Sequence, residues 1–268
     1  MYYQHWGITQ SPFGTSPVKS RYQSNMAHEE SLARARFLVD NHRSVGLLLG
    51  AAGSGKTLLL AVLAAEFAET GCRVARLSLT GLDVDEFLGE LALQWGCRPQ
   101  PGQSRGRLWR MLIDSLAEHH YEETPSIVLL DDVDTASPSV LQGVERLVQA
   151  DPTGRARLTV LLACRQDRSG NLGESLLGRC DLRIDLSPWE RDETAEFLKE
   201  SLSRVGRKAP LFTDEAVSRL HALSHGVPRR VSQLADLALV AGAGGELSNI
   251  DADTIDTVYR ELSVLSVG

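Results

Sequence analysis

One short stretch places glycines, a lysine and a hydroxyl residue between two apolar runs, with the spacing GxxxxGK[ST]. Glycines let the backbone curl so that successive N–H groups face one anion, and a helix that starts directly after them adds its positive end. The chemistry that this pattern predicts is the binding of phosphate groups. The residues predicted to contact phosphate are Gly50, Ala51, Ala52, Gly53, Ser54, Gly55, Lys56, Thr57 and Leu58.

Two side chains of this loop have specific predicted roles. Lys56 would neutralise the β- and γ-phosphates of a nucleotide, and the hydroxyl of Thr57 would ligate Mg²⁺. Residues 45–49 read as a buried strand and residues 57–70 as a helix, which is the setting that the motif requires. This setting argues against the alternative of a chance glycine-rich turn. We therefore predict ATP and Mg²⁺ as ligands.

A second acidic element follows the apolar run at 126–130. Asp131 ends this run, which puts it at the carboxyl edge of a sheet, where it would hold Mg²⁺ through water. Asp132 would orient the attacking water. ATP-hydrolysing relatives usually have Glu there, and Asp is shorter by about 1.5 Å, so slow hydrolysis is expected. Asp134 either shares this role or caps the next helix, and we favour the cap.

Short apolar runs alternate with segments of helical periodicity, which predicts an α/β fold with a parallel sheet of five strands flanked by helices. After Pro188 only helical patterns remain, so a small all-helical domain is expected. Thr213 is predicted to cap one of its helices. The predicted strands are 45–49, 73–79, 126–130, 158–163 and 182–186, and the predicted helices between them are 57–70, 83–96, 106–120, 137–149 and 171–179.

This pattern divides the chain into three predicted parts. Residues 1–40 form an N-terminal segment that includes Phe13 and residues 22–28. Residues 41–188 form the nucleotide-binding core, and residues 189–268 form the helical part.

Composition limits the partners and the location. The net charge is −7, so the global positive field of a dedicated nucleic-acid binder is absent. Arg105, Arg107, Arg110 and Trp109 could contact a nucleic acid, but we favour a solvated helix face. His221 and His225 could share a metal, and structural roles are preferred. We predict no secretory signal and no transmembrane segment, hence a cytoplasmic protein.

The chain resembles AAA+ ATPases, and within them the ExeA/GspA-type ATPases of bacterial general secretion, which are related to transposition ATPases of the TniB type. The likeness lies in YYQHWGITQSPF at the N-terminus, in the phosphate loop and DD elements, and in the lid segment 210–239. The resemblance implies the P-loop NTPase fold and ATP hydrolysis. It also implies that residues 189–268 form a lid, and that residues 1–40 contribute to the nucleotide pocket, with Phe13 and residues 22–28 as candidates by location. Secretion-type members often continue into a membrane anchor and a peptidoglycan-binding region, and we predict neither within these 268 residues.

The resemblance also implies roles for two arginines. Arg229 resembles the lid arginine, called sensor 2, that contacts the γ-phosphate. Arg179 resembles the arginine finger that acts on the ATP of a neighbouring subunit, which would require a homo-oligomer; Arg165 and Arg183 are nearby alternatives. At the sensor 1 position stands Cys164, a weak hydrogen-bonding group, so Arg165 or Gln166 could substitute for it.

Three functions are compatible with these features. The first is an ATP-driven factor that changes the conformation or assembly of a protein complex, with an unknown partner associated with secretion or the envelope. The second is an ATP-dependent, DNA-binding regulator of the transposition type. The third is a nucleotide sensor that hydrolyses ATP very slowly.

Overall fold

The computed structural model describes residues 2–14, 26–151 and 157–264. They form two compact units. The sheet unit contains the described residues of 18–52 and 56–186, and the helical unit contains those of 1–17, 53–55 and 187–268. The predicted segment 1–40 is thus divided between the two units, and its part in a nucleotide pocket stays a prediction. Part of the candidate range 22–28 lies outside the described residues.

The sheet unit contains one parallel sheet of five strands in the order β2-β3-β4-β1-β5. Each position of β1 and β3 is buried, whereas exposed and buried positions alternate along most of the edge strands β2 and β5. Continuous apolar runs are expected for strands covered on both faces. The strands are β1 (Val45–Gly50), β2 (Arg73–Ser78), β3 (Ser126–Asp131), β4 (Leu158–Arg165) and β5 (Leu182–Leu186).

Helices, numbered along the whole chain, cover both faces of this sheet. Leu47 and Leu49 of β1 enter one apolar core, which includes residues of α4, α5 and α6. Leu48 enters the opposite core, which includes residues of α2 and α3. The helices are α2 (Met26–Asp40), α3 (Lys56–Glu69), α4 (Val84–Gln94), α5 (Arg105–Tyr121), α6 (Pro138–Val148) and α7 (Gly173–Leu177).

The helical unit is built around a third core to which the first residues of the chain contribute. Trp6 is buried, and its indole N–H donates to the carbonyl of Leu239 at 2.8 Å. Phe13 is also buried, with its ring near those of Phe197 and Phe212. The helices are α1 (Tyr2–Trp6), α8 (Arg191–Arg204), α9 (Asp214–Ser224), α10 (Pro228–Gly244) and α11 (Ala252–Val264).

The predicted fold class is confirmed, since a five-stranded parallel sheet with flanking helices precedes a helical region. The side chain of Thr213 accepts a hydrogen bond from the backbone N–H of Ala216, so it caps α9 as predicted. Helices α1 and α2 were not predicted. No helix in the described part of the chain has the length and apolar character that a membrane span requires.

Candidate nucleotide-binding site

The phosphate loop joins β1 to α3, which is the strand–loop–helix context predicted from the sequence. Gly53 and Gly55 have φ of 82° and 101°, a left-handed conformation that favours glycine. The hydroxyl of Ser54 is buried and has no hydrogen-bond partner among the described residues. Because buried polar groups are nearly always hydrogen-bonded, an unpaired hydroxyl in this loop fits a segment that accommodates a polar ligand. The first backbone N–H groups of α3 have no partner within the helix and are further donors for such a ligand.

Lys56 is folded against its own loop. Its Nζ donates to the carbonyls of Gly50 at 2.9 Å and Ala51 at 3.0 Å, and the residue is only 7% exposed. Burial lowers the pKa of Lys56, an effect opposed by the charges of Asp131, Asp134 and Asp132 in that order. The carbonyls hold the ammonium group at the phosphate loop, and the nearby aspartates favour its charged form, which is the form that binds an anion.

The structure brings together the two predicted metal-binding residues. Asp131 ends β3 and is 5% exposed. Burial raises the pKa of Asp131, and the nearby hydroxyl of Thr57 lowers it in part. One hydroxyl and one carboxylate suit Mg²⁺, which is typically held by one or two protein oxygens, substrate phosphates and water. Within the described residues no three His, Cys, Asp or Glu side chains gather as a fuller metal cage would need.

Asp132 has an unusual backbone and a specific side-chain contact. Its φ of 53° and ψ of 37° lie in the left-handed region, which costs energy for a residue with a Cβ, although Asp adopts it more readily than most. The hydroxyl of Ser78 donates to Oδ2 of Asp132 at 3.3 Å, and that of Thr135 donates to its carbonyl at 2.8 Å. Ser78 was not predicted. It lies beside Asp131 in the β2–β3 register, which the sequence alone does not reveal.

Asp134 does not cap the next helix, so the favoured interpretation of this residue was wrong. The N-cap of α6 is Ser137. Instead, Oδ1 of Asp134 accepts from the backbone N–H of Arg165 at 3.1 Å, and Nδ2 of Asn171 donates to the Asp134 carbonyl at 3.2 Å. Asp134 therefore connects the end of β3 with the end of β4. Asn171, a second polar residue at this place, was not predicted either.

The three candidate finger arginines differ in their partners. Arg165 pairs with Asp167 at 2.6 Å, and Arg183 pairs with Asp185 at 2.7 Å. Arg179 is exposed and has no carboxylate partner among the residues that the structure describes. Of the three, Arg179 thus keeps its guanidinium available. At the end of β4, Cys164 is fully buried, and burial raises the pKa of its thiol to about 12, so it remains a neutral and weak hydrogen-bonding group.

Arg229 lies at the start of α10, within the same unit as the turn 53–55. Its backbone N–H donates to the carbonyl of Gly53 at 3.2 Å. A Cβ on Gly53 would lie 2.8 Å from the Cβ of Arg229, so this approach requires glycine. Arg229 is exposed, and its guanidinium pairs with no carboxylate in the described part of the chain.

Three other sequence candidates have local structural contacts. Trp109 is 3% exposed, and the guanidinium of Arg146 lies 4.4 Å from its ring centroid, so its ring is not free to stack on a base. Nδ1 of His221 lies 3.0 Å from the hydroxyl of Thr194. His225 ends α9 in a left-handed conformation.

Comparison with known proteins agrees with this geometry. A segment that contains the phosphate loop, Asp131, Asp132 and Asp134 matches the family described as AAA domain, over residues 39–170. The match begins before β1 and ends after β4, so the matched segment includes both strand ends that Asp134 connects.

The whole chain also resembles a curated protein. It is 25% identical over 273 residues to General secretion pathway protein A of Aeromonas hydrophila. The alignment covers 100% of this chain and 50% of that protein. The chain thus spans about half the length of this relative. Together with the AAA domain, this match confirms the predicted resemblance to AAA+ ATPases of the ExeA/GspA type.

Solved structures show the same fold. Cdc6p from Pyrobaculum aerophilum has a TM-score of 0.70 at 20% identity, covering 95% of this chain and 71% of that one. The Holliday junction branch migration motor RuvB of Thermotoga maritima has a TM-score of 0.60 at 17% identity, covering 94% and 74%. At these identities the likeness shows the P-loop NTPase fold and carries no information on what the chain binds.

Proposed function

We propose that this protein binds ATP with Mg²⁺ and hydrolyses the bond between the β- and γ-phosphates. The observation that carries the proposal is that the Thr57 hydroxyl and the Lys56 ammonium group both act on the buried carboxyl of Asp131, while Nζ of Lys56 is held by the loop carbonyl of Gly50. These three residue types supply a hydroxyl, a carboxylate and an ammonium group, which are the groups that a Mg²⁺–triphosphate complex requires.

The roles follow from the position of each group. Lys56 leaves its carbonyl partners and neutralises developing charge on the phosphates, which the loop N–H groups also bind. Thr57 and Asp131 hold Mg²⁺, which when bound supplies further neutralisation of phosphate charge. Asp132 accepts a hydrogen bond from the attacking water and orients it in line with the bond that breaks.

Two arginines complete the proposed site. Arg229 contacts the γ-phosphate, because its backbone is bonded to Gly53 of the phosphate loop and its guanidinium has a fork of donors suited to phosphate. Arg179 acts on ATP in a neighbouring copy of the chain, which implies a homo-oligomer. Support for this choice is that the alternatives Arg165 and Arg183 are already paired with carboxylates.

The output of hydrolysis is a change in the conformation or assembly of a protein complex. The resemblance to General secretion pathway protein A supports a cytoplasmic protein that acts on a partner associated with secretion or the cell envelope. Proteins captured by the ATP-bound protein, compared with those captured in ADP, would identify this partner.

A binding titration tests the nucleotide site. A fluorescent ATP analogue should bind the wild type in Mg²⁺, and Lys56→Ala should weaken that binding by at least roughly 100-fold, since a buried charge-assisted contact is lost. Lys199→Ala, which removes an exposed lysine of α8, is the matched control and should bind like the wild type. Retained affinity in Lys56→Ala would contradict the proposed site.

A DNA-binding regulator is the second candidate. Its specific support is a surface groove lined by Arg98, Arg107 and Arg110, although Asp114 and Glu118 line the same groove. Binding to duplex DNA in the presence of ATP, weakening steeply with salt and lost in Arg107→Ala, would favour this function. Absence of salt-dependent DNA binding would leave the protein-directed function.

A further inference from the structure

The two carboxylate oxygens of Asp134 have different surroundings. The residue is 5% exposed, and Oδ1 accepts a hydrogen bond from the backbone N–H of Arg165. Oδ2 is buried and has no donor within hydrogen-bonding distance among the described residues. An unpaired buried acceptor is unfavourable, and an unpaired buried carboxylate oxygen is more so, which indicates that a further donor belongs here.

Asp134 is held in a fixed orientation. Its carbonyl accepts from Nδ2 of Asn171 and its Oδ1 from Arg165, so contacts 31 and 37 residues away in sequence position it from the β4 side. It lies in the short 3₁₀ turn Val133–Thr135, which follows Asp132 directly. Oδ2 is thus an acceptor whose position is determined before any ligand binds.

The charge of Asp134 acts on residues of the nucleotide site. It raises the pKa of Lys56 more than the charge of Asp132 does and less than that of Asp131 does. Its charge also acts on the thiol of Cys164 at the end of β4. Asp134 therefore lies near both the phosphate-loop lysine and the end of the strand that pairs with β1.

We propose that Oδ2 of Asp134 accepts a hydrogen bond from a water molecule of the Mg²⁺ hydration shell, which makes Asp134 a positioning residue for the metal–nucleotide complex. Mg²⁺ retains several waters when it binds to protein, and each such water is a strong donor that requires an acceptor. Asp134 does not ligate the metal directly. The inference rests on the proposed function, because it requires a metal and a nucleotide at this site.

One substitution separates this role from a structural one. Asp134→Asn keeps an oxygen for the N–H of Arg165 but puts an amide donor in place of Oδ2. The half-saturating Mg²⁺ concentration is measured with a fluorescent, non-hydrolysable ATP analogue at saturation, and analogue affinity is measured again in EDTA. Asp40→Asn, the same change at an exposed aspartate of α2, is the control.

For Asp134→Asn we expect a roughly tenfold higher half-saturating Mg²⁺ concentration, with affinity in EDTA and thermal midpoint close to those of the wild type. Asp40→Asn should keep the Mg²⁺ dependence of the wild type. Equal Mg²⁺ dependence in Asp134→Asn and the wild type would overturn the inference and leave the nucleotide site standing. A wild type without Mg²⁺-dependent nucleotide binding would overturn the proposed function as well.

A measurement on the wild type covers the case in which Asp134→Asn does not fold. A crystal structure with Mn²⁺ and the analogue should show a metal-bound water within hydrogen-bonding distance of Oδ2. A bound metal whose waters all have other acceptors would overturn the inference.

Discussion

The hydroxyl of Ser78 donates to Oδ2 of Asp132 at 3.3 Å. The last residue of β2 therefore orients the carboxylate that directly follows β3. This contact matters because Asp132 is shorter than Glu and its backbone is in the left-handed region. In the proposed reaction a short side chain on such a backbone has few ways to reach the attacking water, and the bond from Ser78 would favour one orientation of the carboxylate.

We expect Asp132→Asn to lower ATP turnover by at least roughly 100-fold, because the amide cannot accept a proton or orient water as the carboxylate does. Ser78→Ala should lower turnover by a smaller factor, about three- to tenfold, with little change in KM, because the group that it removes acts through Asp132. Steady-state kinetics at saturating Mg²⁺ measure both. Ser175→Ala, an exposed serine of α7, should match the wild type.

Equal turnover in Asp132→Asn and the wild type would remove Asp132 from its proposed role. If both also turned over ATP at a negligible rate while binding it tightly, the protein would act as a nucleotide sensor.

Local sequence predicts the strands and the phosphate loop well because their signals are local. The run that ends at Asp131 is apolar at each preceding position of residues 127–130, and the loop motif includes both Lys56 and Thr57. Helix α2 has a weaker local signal because charged residues interrupt its apolar positions, such as Leu32 and Leu38.

The remaining site residues depend on contacts between distant segments. Ser78 becomes relevant only through the register that sets it beside Asp131, 53 positions further along the chain. Asp134 looks like a helix cap locally, but the N–H of Arg165 is its actual partner. Strand order decides both contacts, and no short pattern encodes strand order.

Substitution of Arg179 tests whether neighbouring copies of the chain complete one another's sites. We expect Arg179→Ala to lower turnover by at least roughly tenfold without loss of nucleotide binding, because an arginine supplied in trans stabilises charge only during the reaction. Arg183→Ala, which breaks an exposed ion pair with Asp185, is the matched control and should have little effect.

A mixture of the Arg179→Ala and Lys56→Ala proteins gives the decisive readout. Mixed assemblies contain intact nucleotide sites next to intact arginines, so turnover should exceed the sum of the separate proteins. A mixture no more active than its components, together with full activity of Arg179→Ala alone, would rule out this residue as the finger.

Gly226 determines how closely the turn before α10 approaches Trp189. Its φ is +66°, its carbonyl accepts from the N–H of Trp189 at 2.8 Å, and a Cβ would lie 2.1 Å from the carbonyl oxygen of Trp189. Gly226→Ala therefore costs about 1–2 kcal/mol for the left-handed conformation and must also move the Trp189 backbone.

Gly7→Ala isolates the first contribution, that of the left-handed conformation. Gly7 has a φ of +64° in the same unit, but a Cβ added to it would have no neighbouring atom within 4 Å. We expect Gly226→Ala to lower the thermal midpoint by several degrees more than Gly7→Ala does, at roughly 2–4 °C per kcal/mol. Equal shifts of the two midpoints, measured by circular dichroism, would show that the close approach to Trp189 adds nothing.

The pKa of Asp131 provides a test that needs no ligand. Burial raises it, and the hydroxyl of Thr57 opposes the rise by bonding the charged form. Removal of that hydroxyl in Thr57→Val should therefore raise the pKa of Asp131 further, while Thr57→Ser, which keeps a hydroxyl, should leave it near the wild-type value. Carboxyl chemical shifts of ¹³C-labelled aspartate, followed by pH titration, measure all three proteins.

The sign of the shift determines what acid does to the protein. Since the folded pKa is the higher one, Asp131 favours the folded state at low pH, and this contribution is lost as the pH rises through the folded pKa. Protons compete with Mg²⁺ for the same carboxylate, so metal binding should weaken on acidification at a higher pH than an ordinary aspartate, of pKa about 3.9, would allow. A pKa that is the same in Thr57→Val and the wild type would show that the two side chains do not interact in solution, and the proposed metal site would lose its supporting contact.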